Sequence, residues 1–195
     1  MTAADSCSKP RVAVLGGSFD PIHLGHLEMA RAVQEAYRFD RILFMPCFVS
    51  PFKKGTVATT EERLAMLELA LRDFPLEGGE INQWEIGRSS PSYTWQTVEH
   101  LSASEPETEW SWVVGTDQWE QIESWAESEK LRELLRFIVL TRDGDSVRSR
   151  PGWSYLALPF SHPASSTAIR ADFDAGRRWL TRGVIGFCEE NDLYQ

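Results

Sequence analysis

The chain of 195 residues has 42% hydrophobic and 25% charged side chains, which is typical of one globular domain with a substantial core. Its formal net charge of -9 argues against non-specific binding to nucleic acid, and no apolar run is long enough to cross a membrane. The first ten residues, expected to be flexible, lack the basic and apolar parts of a signal peptide, and the three cysteines are too far apart for a disulfide framework or a CxxC metal pair. We therefore expect a cytoplasmic protein with reduced thiols.

Strands and helices alternate in the first half of the predicted fold. A strand at residues 12–15 ends in Gly16 and Gly17, and a helix begins a few residues later. A second strand at 41–46 precedes a loop to residue 60 and a helix that opens with the capping box of Thr59 and Glu62 and ends near residue 74. We expect a third strand at 81–86, followed by a helix that Ser92 caps and that runs to residue 101.

The second half continues the alternation. Strands are predicted at 110–115, 136–141 and 153–158. An acidic helical region and a short helix at 130–135 precede the strand at 136–141, and an exposed loop at 142–152 precedes the strand at 153–158. The tail, residues 164–195, is expected to hold two helices separated near Gly176. This pattern predicts an α/β fold: a Rossmann-like, doubly wound parallel sheet with a small C-terminal helical region, in a single domain spanning residues 1–195.

The segment GGSFDPIHLGH, residues 16–26, carries the strongest chemical signal. His23 and His26 are three residues apart at the expected start of the first helix, so both imidazoles lie on one face. The free N–H groups and the positive end of the helix dipole attract an anion at such a position. The segment therefore predicts a phosphate site, with Gly25 leaving room for the substrate.

A second candidate phosphate site is SSTAIR, residues 165–170. Ser165, Ser166 and Thr167 offer hydroxyls and backbone amides, and Arg170 brings a planar cation suited to phosphate oxygens. Taken alone, the segment also fits an ordinary capped surface helix. Because ligands collect at the carboxyl ends of parallel strands, we expect both segments to meet at one edge of the sheet, together with the residues that follow the other strands.

The two segments resemble the signatures of the HxGH nucleotidylyltransferases, and GGSFDP is most similar to that of the bacterial nicotinate mononucleotide adenylyltransferases. The resemblance implies transfer of AMP from ATP to nicotinate mononucleotide, with Mg²⁺ carried by the ATP and no metal site on the protein. It implies catalytic roles for His23, His26, Lys53 and Arg170. The ATP-binding residues that it implies are Gly16, Gly17, Ser18, Phe19, Gly115, Asp117, Ser165, Ser166 and Thr167.

The acceptor site is implied by two further matches. PSYT, residues 91–94, is similar to the family segment whose Thr lies near the nicotinate, here Thr94, and Trp125 follows Asp117 at the interval where the family has a Trp that stacks on the pyridine ring. The chain departs from the family pattern at Phe52, where PPHK has His, and at Ala126, where some relatives have an aromatic side chain.

Three alternatives remain open at this stage. The first is a related adenylyltransferase whose acceptor is nicotinamide mononucleotide or a phosphopantetheine compound. The second is a catalytically weak, nucleotide-binding regulatory protein. The third, a dehydrogenase, is disfavoured because GGSFDP lacks the GxGxxG spacing of a dinucleotide-binding loop.

Overall fold

The computed structural model describes residues 8–49, 55–88, 90–142 and 146–195. Within these residues, six strands form one sheet in the order β3-β2-β1-β4-β5-β6, and every neighbouring pair is parallel. The strands are β1 (Arg11–Gly17), β2 (Arg41–Pro46), β3 (Gly79–Ile81), β4 (Glu109–Gly115), β5 (Arg136–Thr141) and β6 (Ser154–Pro159). The predicted Rossmann-like, doubly wound sheet is therefore confirmed.

Helices cover both faces of the sheet. They are α1 (Leu24–Tyr37), α2 (Thr60–Asp73), α3 (Thr94–Ser104), α4 (Thr116–Glu120), α5 (Ser128–Leu134), α6 (Ser166–Ala171), α7 (Phe173–Gly176) and α8 (Arg182–Glu190), with 3₁₀ turns at Ile122–Ser124 and Arg177–Trp179. No helix in the described ranges is both long and apolar enough to span a membrane.

Strand β1 divides the core, since its alternate side chains point to opposite faces. Ala13 and Leu15 pack in one cluster with residues of α1, α2 and α8. Val12 and Val14 pack in a second cluster with residues of α3 and α5. A strand buried on both faces reads as a continuous apolar run, which is why the sequence identified β1 without an alternating pattern.

Several predicted elements are confirmed to the residue. Strands β2 and β5 have the expected bounds, Arg41–Pro46 and Arg136–Thr141. The capping box of α2 is also present, because Thr59 Oγ1 accepts a hydrogen bond from the Glu62 N–H at 3.2 Å and Glu62 Oε2 accepts one from the Thr59 N–H at 2.7 Å. These features depend on residues close together in the chain.

The prediction for the third strand was wrong. Strand β3 ends at Ile81, and the chain then turns, with the Trp84 N–H donating to Asn82 Oδ1 at 3.0 Å and the Gly87 N–H donating to the Gln83 carbonyl at 3.0 Å. Ser92 does not cap α3 either. Its Oγ accepts from the Phe48 N–H at 3.1 Å, so a contact with the exit of β2 takes the hydroxyl that the cap would have used.

Two further expectations are corrected in the second half. The tail contains more than two helices, because Asp172 caps α7 by accepting from the Ala175 N–H at 2.9 Å and so starts a new helix directly after α6. The loop at 142–152 is not exposed throughout, because Arg150 is buried against Glu123 and donates to the Glu120 carbonyl at 2.8 Å.

Two expectations about the chain as a whole stay predictions. The proposed flexibility of residues 1–10 falls mostly outside the described residues, which begin at residue 8. That residues 1–195 make a single domain is also not tested.

Candidate active site

An open cavity of about 1290 Å³ lies at the carboxyl ends of the strands. Its walls come from the segments that follow β1, β2, β4, β5 and β6, as expected for a parallel sheet. Lys53 and Phe52 lie outside the described residues. The sequence-predicted site residues that line the cavity are Gly16, Gly17, Ser18, Phe19, His23, His26, Thr94, Gly115, Asp117, Trp125, Ser165, Ser166, Thr167 and Arg170.

His23 and His26 form a stacked pair at the start of α1. His23 is the N-cap residue and His26 lies one turn on, with the ring centroids 3.8 Å apart and the planes inclined by 23°. The His23 N–H donates to Nδ1 of His26 at 3.3 Å. Because Nδ1 is the acceptor, a neutral His26 ring carries its proton on Nε2. The helix start therefore holds His26 as a donor through Nε2.

The His23 ring is neutral at pH 7. The residue is 6% exposed. Burial, with the nearby His162 as a second cause, lowers the pKa of His23 from its ordinary value of 6.5 to about 4. Its Nδ1 is buried and has no hydrogen-bond partner among the described residues. His23 thus contributes a polar ring to the cavity wall without a full positive charge.

The glycines of the motif make space for aromatic rings of the protein. A Cβ atom at Gly17 would lie 3.1 Å from the ring of Phe19, and one at Gly25 would lie 3.0 Å from atoms of both His23 and His162. The expectation that Gly25 leaves room for the substrate is corrected, because the two imidazoles occupy that space. Phe19 has a left-handed backbone with φ of 48°. Its buried ring packs edge-on against His26, with centroids 5.1 Å apart, and so supports the His26 ring.

Asp20, which the sequence reasoning left without a role, is the hub of this loop. Asp20 is 4% exposed, and its carboxylate accepts hydrogen bonds from the N–H groups of Val57 at 2.9 Å and Ala58 at 3.0 Å. The Tyr194 hydroxyl donates to Asp20 Oδ1 at 2.7 Å, and burial and this bond raise the pKa of Tyr194. The only sequence signal for Asp20 was its position inside GGSFDP.

The two predicted phosphate segments are joined to each other. Arg170 Nη1 donates to the Asp20 carbonyl at 2.6 Å, and Ser166 Oγ donates to the Pro21 carbonyl at 3.0 Å. Ser165 caps α6 by accepting from the Ala168 N–H at 3.1 Å, and Thr167 Oγ1 lies 3.5 Å from Arg170 Nη2. SSTAIR is therefore a capped helix that also fixes the guanidinium of Arg170 against the loop after β1.

Arg63 is a second residue that the sequence reasoning missed. It is fully buried in α2. Its guanidinium donates to the carbonyls of Ser18 at 2.8 Å, Cys47 at 2.7 Å and Phe48 at 3.1 Å. Arg63 thus ties the loop after β1 to the loop after β2. No periodicity distinguishes such an arginine from a solvated one.

The candidate acceptor end of the cavity is built around Glu85. Glu85 is 4% exposed, and burial raises the pKa of its carboxyl group. Thr97 Oγ1 donates to Glu85 Oε1 at 2.5 Å, and Ser92 also bonds to the carboxyl. Thr94 begins α3 beside these groups, and Trp125 is half-buried in the same cavity.

Asp117 lies in the first turn of α4, directly after β4. Its side chain is exposed and folds back over the preceding turn, where a Cβ atom at Gly115 would lie 2.6 Å from Asp117 Oδ1. Only glycine at position 115 therefore permits this position of the carboxylate. Within the described part of the chain, no group of three or more His, Cys, Asp or Glu side chains is arranged to hold a metal ion.

Comparisons with known proteins show the family of this chain. Residues 14–172 match the family model described as cytidylyltransferase-like. A protein of Methylacidiphilum infernorum named "Probable nicotinate-nucleotide adenylyltransferase" is 39% identical, over 94% of this chain and 92% of that protein. One of Enterococcus faecalis with the same name is 34% identical, over 96% of this chain and 86% of that protein. The chain belongs to the nicotinate-nucleotide adenylyltransferase family.

This adenylyltransferase family member also shares its fold with a solved structure. The structure described as Plasmodium falciparum nicotinic acid mononucleotide adenylyltransferase complexed with NaAD superposes with a TM-score of 0.80, covering 95% of this chain and 97% of that one at 18% identity. Membership of an adenylyltransferase family confirms the sequence resemblance and removes the dehydrogenase alternative. The roles of the individual site residues stay predictions.

Proposed function

We propose that this chain transfers AMP from ATP to nicotinate mononucleotide, forming deamido-NAD and pyrophosphate. The observation that carries the proposal is the stacked His23–His26 pair at the start of α1, joined to SSTAIR through Arg170 and Asp20, in a member of the nicotinate-nucleotide adenylyltransferase family. The cavity of about 1290 Å³ exceeds the roughly 300–1,000 Å³ usual for one small ligand, as a site for two nucleotides requires.

The proposed reaction needs no protein nucleophile. An oxygen of the acceptor 5'-phosphate attacks the α-phosphorus of ATP and forms a new P–O bond, while the bond from that phosphorus to the oxygen bridging the α- and β-phosphates breaks and pyrophosphate leaves. Since the acceptor phosphate is already ionised, catalysis rests on alignment and on stabilising the charge that develops on the transferred and leaving groups.

The phosphate end of the site divides this work among several side chains. We assign transition-state contact to His26, whose Nε2 proton faces away from its bond to the helix start, and contact with the ATP phosphates to His23. Arg170 supplies positive charge and is oriented by the Asp20 carbonyl. Lys53 is assigned a supporting contact with the triphosphate. Mg²⁺, carried by the ATP, neutralises part of the triphosphate charge.

The remaining assignments concern the nucleosides. Asp117 would accept hydrogen bonds from ribose hydroxyls, and the exposed position of its carboxylate suits that role. Thr94 and Trp125 are assigned to the nicotinate ring and carboxylate. The residues assigned to ATP through backbone amides or hydroxyls are Gly16, Gly17, Ser18, Phe19, Gly115, Ser165, Ser166 and Thr167.

An acceptor screen tests the proposed function. Pyrophosphate release is measured with Mg-ATP and, in turn, nicotinate mononucleotide, nicotinamide mononucleotide and phosphopantetheine. We expect nicotinate mononucleotide to be preferred over its amide by at least about a hundredfold in kcat/KM, because a site that hydrogen-bonds a carboxylate leaves polar groups unpaired with the amide. Equal rates with the two mononucleotides would refute the acceptor, and no release with any of them would refute the reaction.

A further inference from the structure

His162 lies between β6 and α6, outside both segments that resemble the family signatures. It lines the cavity with His23 and Arg170. A Cβ atom at Gly25 would lie 3.0 Å from Nδ1 of His162 and 3.0 Å from Nδ1 of His23. The two rings therefore approach each other over Gly25, in the first turn of α1.

The contacts of the His162 ring determine which nitrogen can serve a ligand. Nδ1 accepts a hydrogen bond from the Ala164 N–H at 3.1 Å, so a neutral ring carries its proton on Nε2. The ring also packs edge-on against Trp179, with centroids 5.2 Å apart. These two contacts hold the ring in one orientation, and Nε2 is the nitrogen that remains for hydrogen bonding outside the loop.

The charged groups around this ring favour an anion. Arg170 of α6 lines the same cavity. The buried carboxylate of Asp20 lies 3.9 Å from Arg170 Nη1 and already accepts bonds from Val57, Ala58 and Tyr194. A phosphate oxygen is thus a better partner for the His162 donor than a protein carboxylate.

We propose that His162 is a third imidazole of the phosphate site, donating from Nε2 to a non-bridging oxygen of the ATP triphosphate bound beside His23. The identity of the ligand rests on the proposed function. This hydrogen bond would contribute to binding. Its loss should therefore weaken the affinity for ATP rather than the affinity for the acceptor.

Two substitutions separate this role from a structural one. In His162→Asn, Oδ1 can replace Nδ1 as the acceptor for Ala164, but the donor at the Nε2 position is lost. In His162→Gln, the amide nitrogen reaches the Nε2 position, but the acceptor for Ala164 is lost. We expect Asn to raise KM for ATP and the calorimetric Kd for Mg-ATP about tenfold or more, the loss typical of one hydrogen bond to a charged group, while Gln stays near the wild-type values.

His100 offers a matched control. It is exposed, stacks on Trp84 with centroids 4.6 Å apart and does not line the cavity. We expect His100→Asn to leave KM for both substrates unchanged, and His162→Asn to leave KM for nicotinate mononucleotide and the Tm unchanged.

Three results would overturn the proposal: an impaired Gln variant beside a normal Asn variant, equal loss in both, or no loss in either. Binding of Mg-ATP by calorimetry does not depend on turnover. A wild-type protein that binds Mg-ATP but is inactive would therefore refute the proposed reaction. The Kd values of the Asn and Gln variants for Mg-ATP would still test the role of His162.

Discussion

The stacked imidazoles of His23 and His26 illustrate how neighbouring side chains of one type take different roles. Burial keeps His23 neutral, whereas the bond from the His23 N–H to Nδ1 of His26 orients the second ring. Phe19 packs edge-on against His26. The spacing predicted that the two rings share one face, and the packing around them determines the protonation of one and the tautomer of the other.

Removal of the His26 imidazole tests its catalytic role. We expect His26→Ala to lower kcat by about a hundredfold to a thousandfold, because removing one preorganised donor to developing charge usually lowers kcat by that factor. Pyrophosphate release under saturating substrates measures this, with circular dichroism to check the fold. His100→Ala, at an exposed site away from the cavity, serves as the control. Turnover near that of the wild type would contradict the assignment.

The neutral state of His23 makes stability depend on pH. Its pKa is lowered to about 4 in the folded protein, so between pH 6.5 and 4 the unfolded chain binds more protons at this residue and stability falls as pH falls. The free energy of unfolding should be about 2 kcal/mol lower at pH 5 than at pH 7 from this group. Urea unfolding at both pH values measures it. In His23→Gln, the difference in unfolding free energy between pH 5 and pH 7 should shrink by that amount. An unchanged difference would contradict its assignment to His23.

At the scale of elements, the site depends on how loops are tied together. Arg63 of α2 bonds to carbonyls in the loops after β1 and β2, and Ser92 reaches back from the start of α3 to the Phe48 N–H. The strands themselves were largely predictable, because continuous apolar runs such as residues 137–140 of β5 are local features. The contacts between their exits were not, since each joins segments that are distant in sequence.

Substitution of Arg63 tests this arrangement. Arg63→Met keeps much of the buried volume but leaves the carbonyls of Ser18, Cys47 and Phe48 without these donors. We expect the free energy of unfolding to fall by about 3 kcal/mol or more, measured by urea denaturation. Arg72→Met, at an exposed position of the same helix, should change it by at most about 0.5 kcal/mol. Equal effects of the two changes would show that the buried bonds contribute little.

At the scale of the whole molecule, a residue near the C-terminus contacts the loop after β1 at the site. Tyr194 and Asp20 are 174 residues apart, and their hydrogen bond links the end of the C-terminal helical region to the loop after β1. The guanidinium of Arg170 donates a hydrogen bond to the backbone carbonyl of the same Asp20. The helical region is therefore part of the support of the phosphate site.

Loss of the Tyr194 hydroxyl should weaken this link. We expect Tyr194→Phe to lower the free energy of unfolding by about 1–2 kcal/mol, because Asp20 Oδ1 loses a buried donor. Urea denaturation gives the change in stability. A fall in kcat would show that this hydrogen bond also helps to position the catalytic groups. Tyr93→Phe, at an exposed ring, is the control for stability. A Tyr194→Phe variant as stable as the control would contradict the role.

The sequence by itself determined that strands alternate with helices along the chain, the capping box of Thr59 and Glu62 and the motif residues that line the cavity. Each is signalled by residues within a few positions of one another, through apolar patterning or local hydrogen bonding. Only the tertiary structure decided that Asp20 is a hub, that Arg63 joins two loops and that His162 meets His23 over Gly25. Those contacts pair groups from distant segments, and such pairing leaves no pattern in either segment alone.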